Sequence, residues 1–200
     1  DGDIAPLREI IELKDKYGAL LLVDEAHGLG IYGDTGMGLA EHLGCCSGID
    51  LHMGTLGKSA GVAGGYIAAK KSYIDLLINR ARSFIYSTAP PPAQSAAALA
   101  GLKIITSDEG KALREKLWQN IALFTKLTGI EQASSSIIPW HVGESDAALA
   151  LSAKLQQEHK ILAPAVRYPT VPRNTARLRI TLTAAHSEKD IELLAEALKA

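Results

Sequence analysis

Two short polar segments carry side chains suited to chemistry, and each follows an apolar run. The first begins at Asp24 and reaches His27, and the second contains Thr55 and Lys58 at the same spacing. A carboxylate, an imidazole and an amine can hold or move protons, and the amine can also attack a carbonyl carbon. Taken singly, Asp24 fits a turn cap and Lys58 fits a solvated surface residue. Only the combination indicates a reactive site.

The apolar runs that precede these segments predict strands of an α/β sheet. Residues 19–23 follow a helix predicted at residues 6–17 and ended by Gly18. The run suggests a parallel strand buried on both faces. Residues 49–53 predict a second strand and residues 65–69 a third. Ligands collect at the carboxyl ends of strands in such sheets. If the first two strands are neighbours, the polar segments converge on one pocket.

The four side chains together match the needs of pyridoxal phosphate (PLP). Lys58 is the candidate for the covalent link to the cofactor's aldehyde, and Asp24 is the candidate partner of the ring nitrogen. A carboxylate there keeps the ring protonated, which makes it an electron sink. His27 can bind the phenolic oxygen. Thr55 and backbone N–H groups of the glycine-rich loop can bind the phosphate.

Beyond residue 71 helical patterns dominate, with helices predicted at residues 91–106 and 108–128. We place a domain boundary near Gly129. The elements expected after it are strands at residues 136–142, 161–167 and 176–183, and helices at residues 145–159 and 187–199, the last with a capping box of Ser187 and Asp190. The predicted fold class is therefore α/β: residues 1–128 form the later part of a mostly parallel sheet domain with connecting helices, and residues 129–200 form a small α+β domain.

A phosphate-binding ATPase is the sharpest competing interpretation. Residues 20–27 resemble the acidic strand end of DEAH-type ATPases, and Gly57, Lys58 and Ser59 imitate the end of a P-loop. However, the complete P-loop needs a glycine where this sequence has His52. The two motifs also occur in the opposite order to that of those ATPases, so this interpretation is disfavoured.

Composition narrows the class of protein further. The 200 residues are 47% hydrophobic and 22% charged, with a formal net charge of −1, which gives no electrostatic reason to expect nucleic acid or a membrane surface as partner. Adjacent Cys45 and Cys46 make a poor disulfide and a poor zinc site, so no metal is predicted. We expect a cytoplasmic location. The chain starts at Asp1 without a methionine, and we expect it to be a fragment of a longer protein.

With these residues in hand, the sequence resembles the α-oxoamine synthases, a branch of the fold-type I PLP enzymes. The segment Asp24-Glu-Ala-His-Gly-Leu-Gly is one landmark of the resemblance. The others are residues 1–7, 54–59, 84–92 and 167–186. The resemblance covers essentially the whole chain and implies the large PLP-binding domain and small domain of that family.

The resemblance also implies roles that spacing alone does not give. Arg179 matches the arginine that grips the amino-acid carboxylate, and Arg167 is a second candidate substrate contact. Ser87 and Thr88 resemble residues that reach the phosphate of the cofactor in a partner subunit. A homodimer with its active site at the interface is therefore expected. Arg177, on the same strand as Arg179, is expected to be structural.

Residues 138–143 and the late segment resemble most the biotin-pathway branch, which joins L-alanine to a pimeloyl thioester carried by CoA or a carrier protein. Siblings that use glycine or serine remain alternatives, as does a non-catalytic scaffold subunit. Such a subunit would be expected to lose Lys58 or Asp24, and both are present. Family chains are about twice as long, so the isolated 200-residue chain is expected to have little or no activity.

Overall fold

The computed structural model describes residues 1–199. Contacts divide the chain into two compact units, Ala5–Arg114 and Asp1–Ile4 with Glu115–Ala200. The predicted domain boundary near Gly129 stays a prediction.

The first unit contains three strands and most of the helices. Its elements are α1 (Leu7–Tyr17), β1 (Leu22–Asp24), α2 (Leu39–His42), β2 (Leu51–Thr55), β3 (Gly65–Ala69), α3 (Lys71–Arg80), α4 (Arg82–Ile85) and α5 (Pro92–Ile105). A 3₁₀ turn covers Cys46–Gly48. Helix α1 ends as the sequence predicts, because Gly18 takes the left-handed conformation (φ 62°) and its N–H donates to the Asp15 carbonyl.

The three strands form one sheet in the order β1-β2-β3. Strand β1 runs parallel to β2, and β2 runs antiparallel to β3. The condition that the first two strands are neighbours is thus met. It puts their carboxyl ends at the same edge of the sheet.

The expectation that the first strand is buried on both faces is wrong. Leu20 is 63% exposed and Leu22 is 49% exposed. Strand β1 is the edge of this sheet, and both side chains keep about half or more of their surface exposed. Apolar sequence alone does not reveal which face has a covering layer.

Helix α6 (Asp108–Thr128) begins in the first unit. Ser107 caps the start of this helix, since its hydroxyl accepts a hydrogen bond from the Gly110 N–H at 3.3 Å. The buried Arg114 guanidinium donates to the carbonyls of Ile105 and Asp34, both at 2.7 Å. Arg114 therefore ties the glycine-rich loop to the end of α5.

The second unit is a three-stranded antiparallel sheet with helices. Its elements after α6 are β4 (Ile137–Gly143), α7 (Ser145–His159), β5 (Ala165–Val166), β6 (Ala176–Thr181) and α8 (Glu188–Ala197), and the sheet order is β4-β6-β5. Phe124, Leu155 and Leu178 are fully buried in its core. The predicted rhythm of strand, helix, strand, strand, helix is confirmed. The capping box between Ser187 and Asp190 is also present.

One predicted strand of this unit is much shorter than expected. Residues 161–167 were expected to be extended, but β5 covers only Ala165–Val166. Pro164 has no N–H to offer a ladder, and the Ala163 carbonyl instead accepts the Ser152 hydroxyl at 2.7 Å. These local features remove the pairing groups that a longer strand would need.

Within residues 1–199, no helix is both long and apolar enough to cross a membrane.

Candidate active site

The register between β1 and β2 brings the two polar segments of the sequence together. Asp24 is the last residue of β1 and has Met53 as its Cα partner. Strand β2 continues from Met53 to Thr55, and Lys58 follows in the next turn. Asp24 and the Thr55–Lys58 segment therefore leave the same edge of the sheet, as the sequence predicts.

Lys58 presents an exposed primary amine. Its Nζ makes no hydrogen bond or ion pair with any residue in 1–199. The turn that carries it is fixed by its own backbone, because the Gly61 N–H donates to the Lys58 carbonyl at 3.0 Å and the Val62 N–H donates to Leu56 at 2.9 Å. The amine is thus free to react while its backbone is held.

Thr55 shapes the start of that turn. Its hydroxyl donates to the Gly64 carbonyl and accepts from the Gly57 N–H, both at 3.2 Å. The side chain is half-buried. In this arrangement Thr55 organises the loop before Lys58 through one bond to each end of that loop.

Asp24 and His27 lie in the turn that follows β1, and both are exposed. The Asp24 carboxylate accepts from the Ala26 N–H at 2.8 Å. A carboxylate, an imidazole and an unpaired amine are the donor and acceptor types that the ring nitrogen, phenolic oxygen and aldehyde of PLP require. The residues present at this edge therefore fit the cofactor.

Glu25 is a residue of this region to which the sequence analysis gave no role. It is only 4% exposed, and its carboxylate accepts from the N–H groups of Leu39 at 2.9 Å and Ala40 at 2.8 Å. A β-carbon at Gly28 would lie 1.9 Å from Glu25 Oε2, so only glycine fits there. The available signal was a second acidic residue directly after the strand, three residues before Gly28.

Tyr66 of β3 is a second residue that sequence reasoning missed. It is the cross-strand partner of Gly54, and its phenol ring fills the space that a β-carbon at Gly54 would need, 2.6 Å away. The ring packs against the cluster of Leu29, Ala60 and Ile105. Burial raises the pKa of the Tyr66 phenol, and the nearby negative charges of Glu25 and Asp24 raise it further.

Ser87 and Thr88 lie beyond helix α4 and are exposed. The Ser87 hydroxyl donates to the Ser83 carbonyl, one turn earlier. The side chains of Phe84 and Tyr86 beside them are 64% and 79% exposed. The predicted contact of Ser87 and Thr88 with a partner subunit's cofactor stays a prediction.

The candidate substrate residues lie in the other unit. Arg177 is buried, and its guanidinium pairs with the Asp1 carboxylate at 2.5 Å and donates to the Thr175 carbonyl at 3.0 Å. Arg179 is on the same face of β6, because alternate residues of a strand share a face. It is partly exposed, and its guanidinium has no partner within residues 1–199. Arg167 is exposed directly after β5.

Comparison with known proteins identifies the class. A family model described as aminotransferase class I and II matches residues 1–198. The chain therefore belongs to this family of PLP enzymes.

Individual relatives sharpen the comparison. The 8-amino-7-oxononanoate synthase of Citrifermentans bemidjiense is 48% identical over 197 residues, which cover 96% of this chain and 50% of that protein. Among solved structures, a serine palmitoyltransferase from S. paucimobilis with bound PLP and myriocin superposes with a TM-score of 0.90 at 28% identity, covering 99% of this chain and 51% of that one. The 8-amino-7-oxononanoate synthase of Francisella tularensis superposes with a TM-score of 0.82 at 28% identity, covering 98% and 58%.

These findings confirm three predictions at the level of the family: the α/β transferase fold, the resemblance to 8-amino-7-oxononanoate synthases, and PLP as the cofactor. The chain spans about half the length of the curated relatives it matches. That proportion agrees with the expectation of a fragment.

Proposed function

We propose that these residues form the lysine-bearing part of a PLP-dependent acyltransferase of biotin synthesis. The reaction joins L-alanine to a pimeloyl thioester, carried by CoA or a carrier protein, and yields 8-amino-7-oxononanoate. A carbon–carbon bond forms between the alanine α-carbon and the thioester carbonyl carbon. The carbon–sulfur bond breaks, the thiol leaves, and the alanine carboxyl group is lost as carbon dioxide.

The observation that carries this proposal is the shared sheet edge of Asp24 and the segment from Thr55 to Lys58. Four different functional groups would be needed to hold PLP, and this edge offers all four within two short segments. The identity of 48% with the 8-amino-7-oxononanoate synthase of Citrifermentans bemidjiense supports the choice within the family.

Each residue then has a task. Lys58 would hold the cofactor covalently, and Asp24 would hold the protonated ring nitrogen. His27 would orient the ring through the phenolic oxygen, and Thr55 would contribute to phosphate binding. When bound, PLP supplies an electron sink for negative charge at the substrate α-carbon.

Proton transfer falls to Lys58. Once the substrate amine has replaced it, Lys58 Nζ takes the proton from the alanine α-carbon, as a general base must. Its freedom from any ion pair within residues 1–199 leaves the amine available for that step. Arg179 would grip the substrate carboxylate through a bidentate contact, and Arg167 would be a second substrate contact.

The active enzyme is proposed to be a homodimer. Ser87 and Thr88 would complete the phosphate site of the partner subunit, and their exposed segment carries large apolar side chains suited to an interface. The isolated chain would then lack both the remainder of its own polypeptide and a paired site. Turnover by the 200-residue chain alone would contradict this part of the proposal.

Substrate choice can be tested with the full-length protein, meaning the natural polypeptide that contains these 200 residues. L-Alanine, glycine and L-serine are each combined with pimeloyl-, acetyl-, succinyl- and palmitoyl-CoA, and thiol release is measured. We expect the highest kcat/KM for L-alanine with pimeloyl-CoA, and no release by Lys58→Ala. A preference for glycine or serine would reassign the chain to a sibling activity. Release with none of the pairs would favour a scaffold subunit.

A further inference from the structure

The loop between β1 and α2 is closed by two carboxylates rather than by apolar packing alone. Glu25 sits at its beginning and accepts the N–H groups of Leu39 and Ala40 at its end. Glu41 lies just beyond the end and reaches back to the middle, where it accepts the Met37 N–H at 2.9 Å and the Thr35 N–H at 3.0 Å. The two carboxylates thus secure different parts of the same loop.

Glu25 is fixed at every polar group. Its N–H donates to the Met53 carbonyl at 2.7 Å, which extends the β1/β2 pairing by one residue. Its carbonyl accepts the N–H groups of Gly28 and Leu29, both at 2.9 Å. Its carboxylate is bound to the start of α2, so Glu25 fixes the turn through hydrogen bonds at its N–H, its carbonyl and its side chain.

This turn carries the residues assigned to the cofactor ring. Asp24 immediately precedes Glu25, and His27 lies inside the turn that the Glu25 carbonyl closes. We propose that Glu25 is a positioning residue, which acts on cofactor binding by fixing the backbone on which Asp24 and His27 stand. This inference rests on the proposed function and assigns it a residue that touches neither cofactor nor substrate.

A carboxylate is the group this task requires. Two backbone N–H groups need two acceptors, and a glutamine offers only one oxygen while its NH₂ group would face the second donor. Shortening to aspartate keeps the charge and loses reach. Gly38 also packs on the carboxylate, since a β-carbon there would lie 2.6 Å from Glu25 Oε2. The surroundings are therefore built around a buried, doubly hydrogen-bonded oxygen pair.

The test is a double-mutant cycle in the full-length protein. The affinity for PLP is measured for each variant from the visible absorbance of the bound cofactor. Glu25→Gln is expected to weaken PLP binding about tenfold or more, in line with the loss of charge-assisted hydrogen bonds. If Glu25 acts through Asp24, the same change in an Asp24→Asn background should weaken binding less than about twofold further. Glu41→Gln is the matched control. It removes a carboxylate from the same loop without touching the turn, so its effect should be equal in both backgrounds.

The outcomes are distinct. Equal effects of Glu25→Gln in both backgrounds would mean that Glu25 merely stabilises the fold, and the inference would be overturned. If Glu25→Gln does not fold, Glu25→Asp takes its place in the cycle with the same expectation. Failure of the wild-type protein to bind PLP at Lys58 would overturn the proposed function and this inference with it. Additive effects in a protein that binds PLP would overturn this inference alone.

Discussion

Asp24 and Met53 are Cα partners across the parallel β1/β2 pair. That pairing links two sequence segments that are otherwise separated by a glycine-rich loop and a short helix. Because parallel strands have their carboxyl ends at the same edge of a sheet, the polar residues after both strands lie at one edge. The candidate site depends on this pairing more than on any single side chain.

Substitution of the two arginines of β6 should change different properties of the protein, stability for Arg177 and substrate binding for Arg179. Arg177→Lys breaks a buried, multiply bonded guanidinium, so we expect a lower unfolding temperature. Arg179→Lys removes a bidentate donor whose only proposed partner is substrate, so we expect the KM for the amino acid to rise about tenfold or more while the unfolding temperature stays unchanged. Steady-state kinetics and thermal unfolding of the full-length protein measure both. An unchanged KM for Arg179→Lys would remove it from the substrate site.

Arg114 should be important for the stability of the first unit. Arg114→Met leaves two carbonyls, those of Ile105 and Asp34, without their charged donor, and we expect a loss of about 2–3 kcal/mol in unfolding free energy. Lys111→Met, at an exposed position in the same helix, is the control. Chemical unfolding of both variants compares them. Equal stability of the two would show that the Arg114 contacts contribute nothing.

Glu41 should make the loop sensitive to acid. Burial raises the pKa of the Glu41 carboxyl, but hydrogen bonds from Thr35 and Met37 and the charge of Arg114 outweigh it, so the pKa lies below its ordinary value of 4.5. A carboxyl group whose pKa is lowered in the folded state stabilises that state fully at pH values above its unfolded-state pKa. The contribution is lost as the pH falls through its folded-state pKa.

We therefore expect wild type to be more stable than Glu41→Gln at pH 7 and the difference to shrink as pH falls below about 4.5. Unfolding in urea at several pH values measures the difference in unfolding free energy between wild type and Glu41→Gln. Glu12→Gln, at an exposed position on α1, corrects for general charge effects. A difference that stays constant across the range would contradict the assigned hydrogen bonds.

The elements that sequence predicted best are those with local signals. Gly18 at the end of α1 and the capping box of Ser187 and Asp190 depend on neighbouring residues only, and both are found. The adjacency of β1 and β2 was only a condition of the sequence interpretation, and the strand pairing meets it. Local signals determine where helices begin and end, but not which strands become neighbours.

The failures involve partners far away in sequence. The exposure of Leu22 depends on which layers cover an edge strand. The short β5 depends partly on Pro164, which the sequence shows, and partly on the Ser152 hydroxyl reaching Ala163. The role of Glu25 likewise needed the positions of Leu39 and Ala40. None of these contacts leaves a periodic pattern in the sequence, so only the folded chain reveals them.

The most direct test of the central claim is to trap the cofactor on its lysine. The full-length protein is incubated with PLP, reduced with borohydride and digested, and the pyridoxyl label is mapped by mass spectrometry. Lys70→Ala is the matched control for removal of an exposed lysine, and Lys58→Ala is the decisive variant. The account predicts label concentrated on Lys58 in wild type and in Lys70→Ala, and its loss in Lys58→Ala. Label spread evenly over surface lysines, or a full-length protein with Lys58 unmodified, would contradict it.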